Sequence, residues 1–122
     1  MASEPGPYVF ADKECPLHYL VTLTKKTWNY HILHDHDDEL LHREEDVELT
    51  ILEPERIYQN SQKGRVNFVY WKLFPFRPAY QRVLKVSTWL KVPPREAIVT
   101  TAVNKPEIIR PYVQSGERQA WP

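Results

Sequence analysis

The sequence predicts an α+β fold in which N-terminal helices pack on a C-terminal antiparallel sheet. Apolar residues recur at helical spacing between about Thr24 and Leu52, and long aromatic and β-branched runs take over from Arg65 onward. Segregated helices and strands cannot supply the crossovers of a parallel sheet, so the later strands are expected to pair antiparallel. At 122 residues, 42% of them hydrophobic, the chain has material for one modest core and one domain. That domain is expected over residues 18–112, after an irregular lead-in at 1–17 and before a flexible tail at 113–122.

The lead-in is inferred from the three prolines of "MASEPGPYVFADKECP". "HYLVTLT", residues 18–24, alternates Tyr19, Val21 and Leu23 against Leu20, Thr22 and Thr24, which fits a short strand. Thr24 or Thr27 can cap the helix that follows, where Trp28, Ile32 and Leu33 share one apolar face. "HDHDD" is a poor helix interior and predicts a break. A second amphipathic helix fits residues 39–52, burying Leu40, Leu41, Val47 and Ile51, and Pro54 closes it.

"RIYQN" reads as a short strand ending in the polar turn "NSQKG". "RVNFVYWKLF" and "YQRVLKVSTWLKV" follow as long strands joined through "PFRPA", and "EAIVTTAV" supplies another after the "PPR" break. In residues 80–91 the even positions, with Leu84, Val86 and Leu90, are expected to meet the helices. The odd positions, with Lys85, Ser87 and Trp89, face the other way, which leaves Lys85 available to a ligand. A final helix is expected from near Pro106.

No apolar run approaches the roughly 20 residues that span a bilayer, and the N-terminus lacks the charged and apolar regions of a signal peptide. A cytoplasmic protein without membrane contact is expected. The single cysteine, Cys15, excludes an intrachain disulfide and any cysteine-based zinc cluster. A formal net charge of zero conceals an asymmetry: residues 1–62 hold 13 acidic and 5 basic side chains, residues 63–122 hold 3 and 11. From Lys63 to Arg95 there are eight cations, Lys72, Lys85 and Arg82 among them, and no carboxylate. Such a stretch attracts a polyanion through phosphate contacts and counterion release, unless charges of the two halves meet as surface pairs after folding.

"YHILHDHDDELLH", residues 30–42, gathers four of the five histidines. On a continuous helix His31, His34 and Asp35 fall at i, i+3 and i+4, so a zinc site is one reading. The string differs in spacing from the "HxHxDH" signature of metallo-hydrolases, and no metal or other cofactor is expected.

Four segments in order, "TKKTWNYHILHDHDD", "LEPERIYQN", "YQRVLKV" and "AIVTTAV", resemble the motifs of phage and bacterial nucleases of the barnase, EndoU, colicin and RelE-like group. The resemblance runs from about Thr24 to Val103. It departs from the family pattern at Asp37, where Pro is usual, and at Asn60 and Val103. It implies a barnase/RelE-like fold and a metal-independent endoribonuclease of toxin or mobile-element type, cleaving RNA by attack of the 2'-hydroxyl.

That chemistry needs a proton acceptor, a proton donor and cations for the charge that builds on phosphate. By the resemblance His31 and His36 take the proton roles, suited by an ordinary imidazole pKa of about 6.5. Arg56 and Lys85 hold the phosphate, and Thr100 and Thr101 orient its oxygens. Tyr58, Tyr70 and Trp71 offer rings for bases, with Lys72 and Arg82 as further RNA contacts. His34 and His42 are read as surface residues. The expected partners are RNA and, if the enzyme is active, an acidic inhibitor or immunity protein. The alternatives are a non-catalytic RNA- or protein-binding module derived from that fold and, less favoured, a His/Asp metal-dependent hydrolase.

Overall fold

The structure, a computed structural model, describes residues 7–34, 40–62, 64–91, 96–105 and 117–121. Strands β1 (Tyr8–Glu14) and β2 (Leu20–Thr24) come first, then a short helix α1 (Lys25–Thr27) that continues as a π-helical turn, Trp28–Ile32. Helix α2 (Glu44–Leu52) follows, then β3 (Arg56–Gln62), β4 (Arg65–Leu73), a 3₁₀ turn (Ala79–Gln81), β5 (Val83–Lys91), β6 (Glu96–Lys105) and β7 (Glu117–Trp121). The strands form one seven-stranded sheet in the order β1-β2-β6-β5-β4-β3-β7.

This corrects the predicted architecture of N-terminal helices on an antiparallel C-terminal sheet. The sheet is mixed, because β2 runs parallel to β6 while every other neighbouring pair is antiparallel. The helical segments are short and sit between strands of one dominant sheet. Residues 8–14, expected to be irregular, are an outer strand, and residues 117–121, expected to be a tail, are the opposite outer strand. Prolines flank rather than interrupt β1, so "YVFADKE" keeps its backbone donors for pairing with β2. The helix expected from Pro106 lies outside the described residues.

Local chemistry explains the helices. The Thr24 side chain accepts a hydrogen bond from the Thr27 amide at 3.1 Å, the cap that the sequence indicates. The Leu33 amide then donates to the Trp28 carbonyl, a wide turn that buries Trp28 and Ile32 together. Helix α2 starts at Glu44, later than expected, and its first turn carries Glu44, Glu45 and Asp46, which complement the positive end of the helix dipole.

The main core lies on one face of the sheet. Trp28, Ile32, Leu40, Val47 and Ile51 from the helical segments and their approaches meet Phe10, Val21, Leu23, Ile57, Phe68, Leu84, Val86 and Val99 from the strands. We call this the helix face. Tyr58, Val69, Trp71 and Val83 form a second buried cluster, and strand alternation places them on the opposite, far face. Among the described residues, no helix is long and apolar enough to cross a membrane.

Charges of the two halves do meet beside α2. Asp46 Oδ2 accepts from Arg43 Nε and from Arg77 at 2.8 Å each, and the buried Arg43 guanidinium lies 5.4 Å from the Phe74 ring centre. Lys72 Nζ donates to the Glu53 carbonyl at 2.7 Å. Replacing Asp46 with Asn should lower stability by about 2 kcal/mol, because the neighbouring guanidiniums then face each other without the shared charge between them. Chemical denaturation of wild type and variant, compared at unchanged slope, measures that difference.

Candidate functional site

The far face brings together side chains from distant parts of the chain in successive cross-strand rungs. Arg56 pairs with Trp71, and Trp71 with Lys85, so one rung reads cation, indole, cation. With strands about 4.8 Å apart, the two cations flank the ring from backbones about 10 Å apart. Trp71 is buried and the Lys85 ammonium lies 5.6 Å from its ring centre, a cation–π contact that holds the charge over the far face. Arg56 and Lys85 are both half-buried.

In the next rung Tyr58 pairs with Val69, Val69 with Ser87 and Ser87 with Thr101. The β5–β6 register then shifts, from Ser87 opposite Thr101 to Thr88 opposite Val99, and Thr100 is the extra residue of that bulge. Its hydroxyl donates to the Ser87 carbonyl at 3.2 Å. The bulge puts two consecutive threonines at the far face, Thr101 exposed and Thr100 half-buried. In a third rung, Asn60, Asn67 and Trp89 are cross-strand neighbours. Asn67 Nδ2 donates to Asn60 Oδ1 at 3.0 Å, and the Arg65 guanidinium stacks 4.3 Å from the Trp89 ring centre.

Of the residues predicted to act together, Arg56, Lys85, Thr100 and Thr101 therefore share one face. His31 does not join them. It is exposed on the π-helical turn whose Trp28 and Ile32 pack into the helix face, so the sheet separates its imidazole from Lys85 and Arg56. His36 lies outside the described residues. Tyr58 belongs to the far face but is fully buried, which removes its ring from base stacking. Tyr70 and Lys72 lie on the helix side of β4: Tyr70 is fully buried in the main core, and Lys72 is engaged by Glu53 and Glu55. Arg82 follows the 3₁₀ turn, where its Nε donates to the Arg77 carbonyl at 3.2 Å.

His34 and His42 are exposed. Among the described residues no three His, Cys, Asp or Glu side chains converge as metal ligands, and Asp35 lies outside them. No motif in the sequence marks Ser87, Trp89, Arg65 or the Asn60–Asn67 pair as site residues. Alternation along β5 carried the signal for Ser87 and Trp89, since both share the parity of Lys85.

Among the described residues, burial acts strongly on one titratable group. Removal from water, reinforced by the neighbouring Cys15 thiol, raises the Tyr70 phenol far above its ordinary range. The unfolded phenol ionises near about pH 10 while the folded one keeps its proton, so the unfolded state loses protons first and stability falls as pH rises past 10. Wild type should lose stability between about pH 10 and 12 more steeply than Tyr70→Phe, as urea midpoints measured across that range would show.

No family model matches this chain, and neither any curated protein nor any solved structure matches it. The resemblance to the barnase, EndoU, colicin and RelE-like nucleases accordingly rests on the four sequence motifs alone.

Proposed function

We propose that the chain binds single-stranded RNA on the far face of its sheet, as a module that holds the strand without cutting it. The observation that carries this reading is the rung of Arg56, Trp71 and Lys85 beside the hydroxyls of Ser87, Thr100 and Thr101. Two cations on the strands either side of β4 suit phosphates of one RNA strand, hydroxyls donate to phosphate oxygens, and the half-exposed Trp89 with Arg65 on its ring offers a base platform. Each phosphate neutralised releases counterions, so affinity falls with salt.

Cleavage by 2'-hydroxyl attack, the second reading, shares these phosphate contacts but also needs a proton acceptor near the attacked phosphorus. The cations and threonines favour it, and the position of His31 on the helix side counts against it.

Mixed-sequence RNA incubated with the protein in EDTA at low salt separates the two. Retention without products is expected, weakened by Lys85→Ala and unchanged by His31→Ala. Absence of retention would refute RNA binding, and cutting that His31→Ala abolishes would restore the nuclease.

A further inference from the structure

A groove of about 300 Å³ opens where β1, β2 and β6 meet, on the same far face but beyond the rung of Trp89. Register fixes its side of the sheet. Val21 and Ala97 are parallel partners in the main core, so the next pair, Thr22 and Ile98, points the other way, and Ile98 is the cross-strand neighbour of Trp89. Tyr8, opposite Thr24, falls on this side too. The groove thus extends the surface proposed to carry RNA.

Its chemistry differs from the rest of that surface. Asp12 on β1 and Glu96 on β6 stand at opposite walls, Thr22 and Thr24 supply hydroxyls, and Lys91 is the one cation among the described lining residues. Asp12 occupies a left-handed backbone conformation, φ 55°, at an irregular step of the β1–β2 pairing, and its amide donates to Thr22 Oγ1 at 3.1 Å. An aspartate tolerates that conformation better than most residues, and an irregularity in a strand re-aims the side chain it carries. Here the position it sets lines the groove.

Two carboxylates repel phosphate and accept from neutral donors. The donors that RNA offers include ribose hydroxyls, exocyclic amines and ring imino groups. Tyr8, 46% exposed at the wall, gives a ring to stack on, and Leu20 and Ile98 give apolar surface for a sugar or base edge. We propose that this groove is a ribonucleoside subsite in which Asp12 and Glu96 accept from ribose hydroxyls and base amine, with Lys91 at the rim toward a flanking phosphate. DNA lacks the 2'-hydroxyl donor, so the groove selects RNA over DNA. The inference rests on the RNA-binding reading for its biological meaning but not for its test.

Full-length ¹⁵N-labelled protein is titrated with adenosine and with 2'-deoxyadenosine, following the amides of Thr22, Lys91 and Ile98. Adenosine should shift them saturably and bind roughly tenfold more tightly than the deoxynucleoside, as expected for a lost hydrogen bond to a charged acceptor. The double variant Asp12→Asn/Glu96→Gln should erase that preference. Equal binding of the two nucleosides, or no shift with adenosine, overturns the proposal.

Arg56→Ala/Lys85→Ala should keep the adenosine response while losing RNA oligomers. Adenosine binding in a wild-type protein that ignores RNA oligomers would uphold the subsite and refute the RNA-binding surface. The reverse pattern would do the opposite.

Discussion

Trp71→Ala should unfold the protein about 10–20 °C earlier than wild type, a loss of about 3–5 kcal/mol. Trp71 is 2% exposed and packs with Tyr58, Val69 and Val83 on the far face, so truncation removes the largest side chain of that second cluster. It also removes the ring beneath the Lys85 ammonium, 5.6 Å from its centre, leaving that lysine without the surface that positions it. Trp71→Phe retains most of the apolar area and should recover more than half of the loss. Circular dichroism melts of the three proteins provide the comparison. A drop below about 3 °C for the alanine variant would mean that the ring contributes little packing, and the far face would then lack a rigid platform for its cations.

Arg56→Ala/Lys85→Ala is expected to weaken RNA retention by about 10- to 100-fold at low salt and to flatten its salt dependence. Removing two phosphate contacts lowers the slope of log affinity against log salt by about 1.4 for a single strand. The slope is the more informative quantity, because general destabilisation lowers the amount of active protein without changing the number of ions released. Both residues are half-buried on strand surfaces rather than in the core, so the double variant should fold. An unchanged slope would place the RNA elsewhere on the protein. A reduced slope joined to unaltered His31→Ala behaviour would fix the far face as the contact surface and leave the helix side uninvolved.

The extent to which the site was legible follows from how local its determinants are. Alternation in β5 correctly sorted Leu84 and Val86 into the core and put Lys85 on the opposite face, because a strand's period of two is written in neighbouring residues. The Thr24 cap and the shared burial of Trp28 and Ile32 were legible for the same reason at helical spacing. The charge asymmetry was visible too, but not the neighbours that folding gives it: Lys72 and Arg77 meet acidic residues of the first half, and Lys85 lies over an indole. Those partners are separated by many positions in the chain, and composition does not encode them. The motif resemblance grouped His31 with Arg56 and Lys85 by order along the chain, a quantity that is silent about sides of a sheet.

Residue order alone established the strand faces, the helix cap and the segregation of charge, all of which arise from steric periods spanning a few residues. Folding decided that β2 lies parallel to β6, that β1 and β7 complete the two edges, and that His31 and the far-face cations end on opposite sides. Such pairings join segments tens of residues apart. Loop-closure entropy changes only slowly with the length of the intervening chain, so local sequence places little constraint on which distant strands become neighbours; the burial of both sheet faces does.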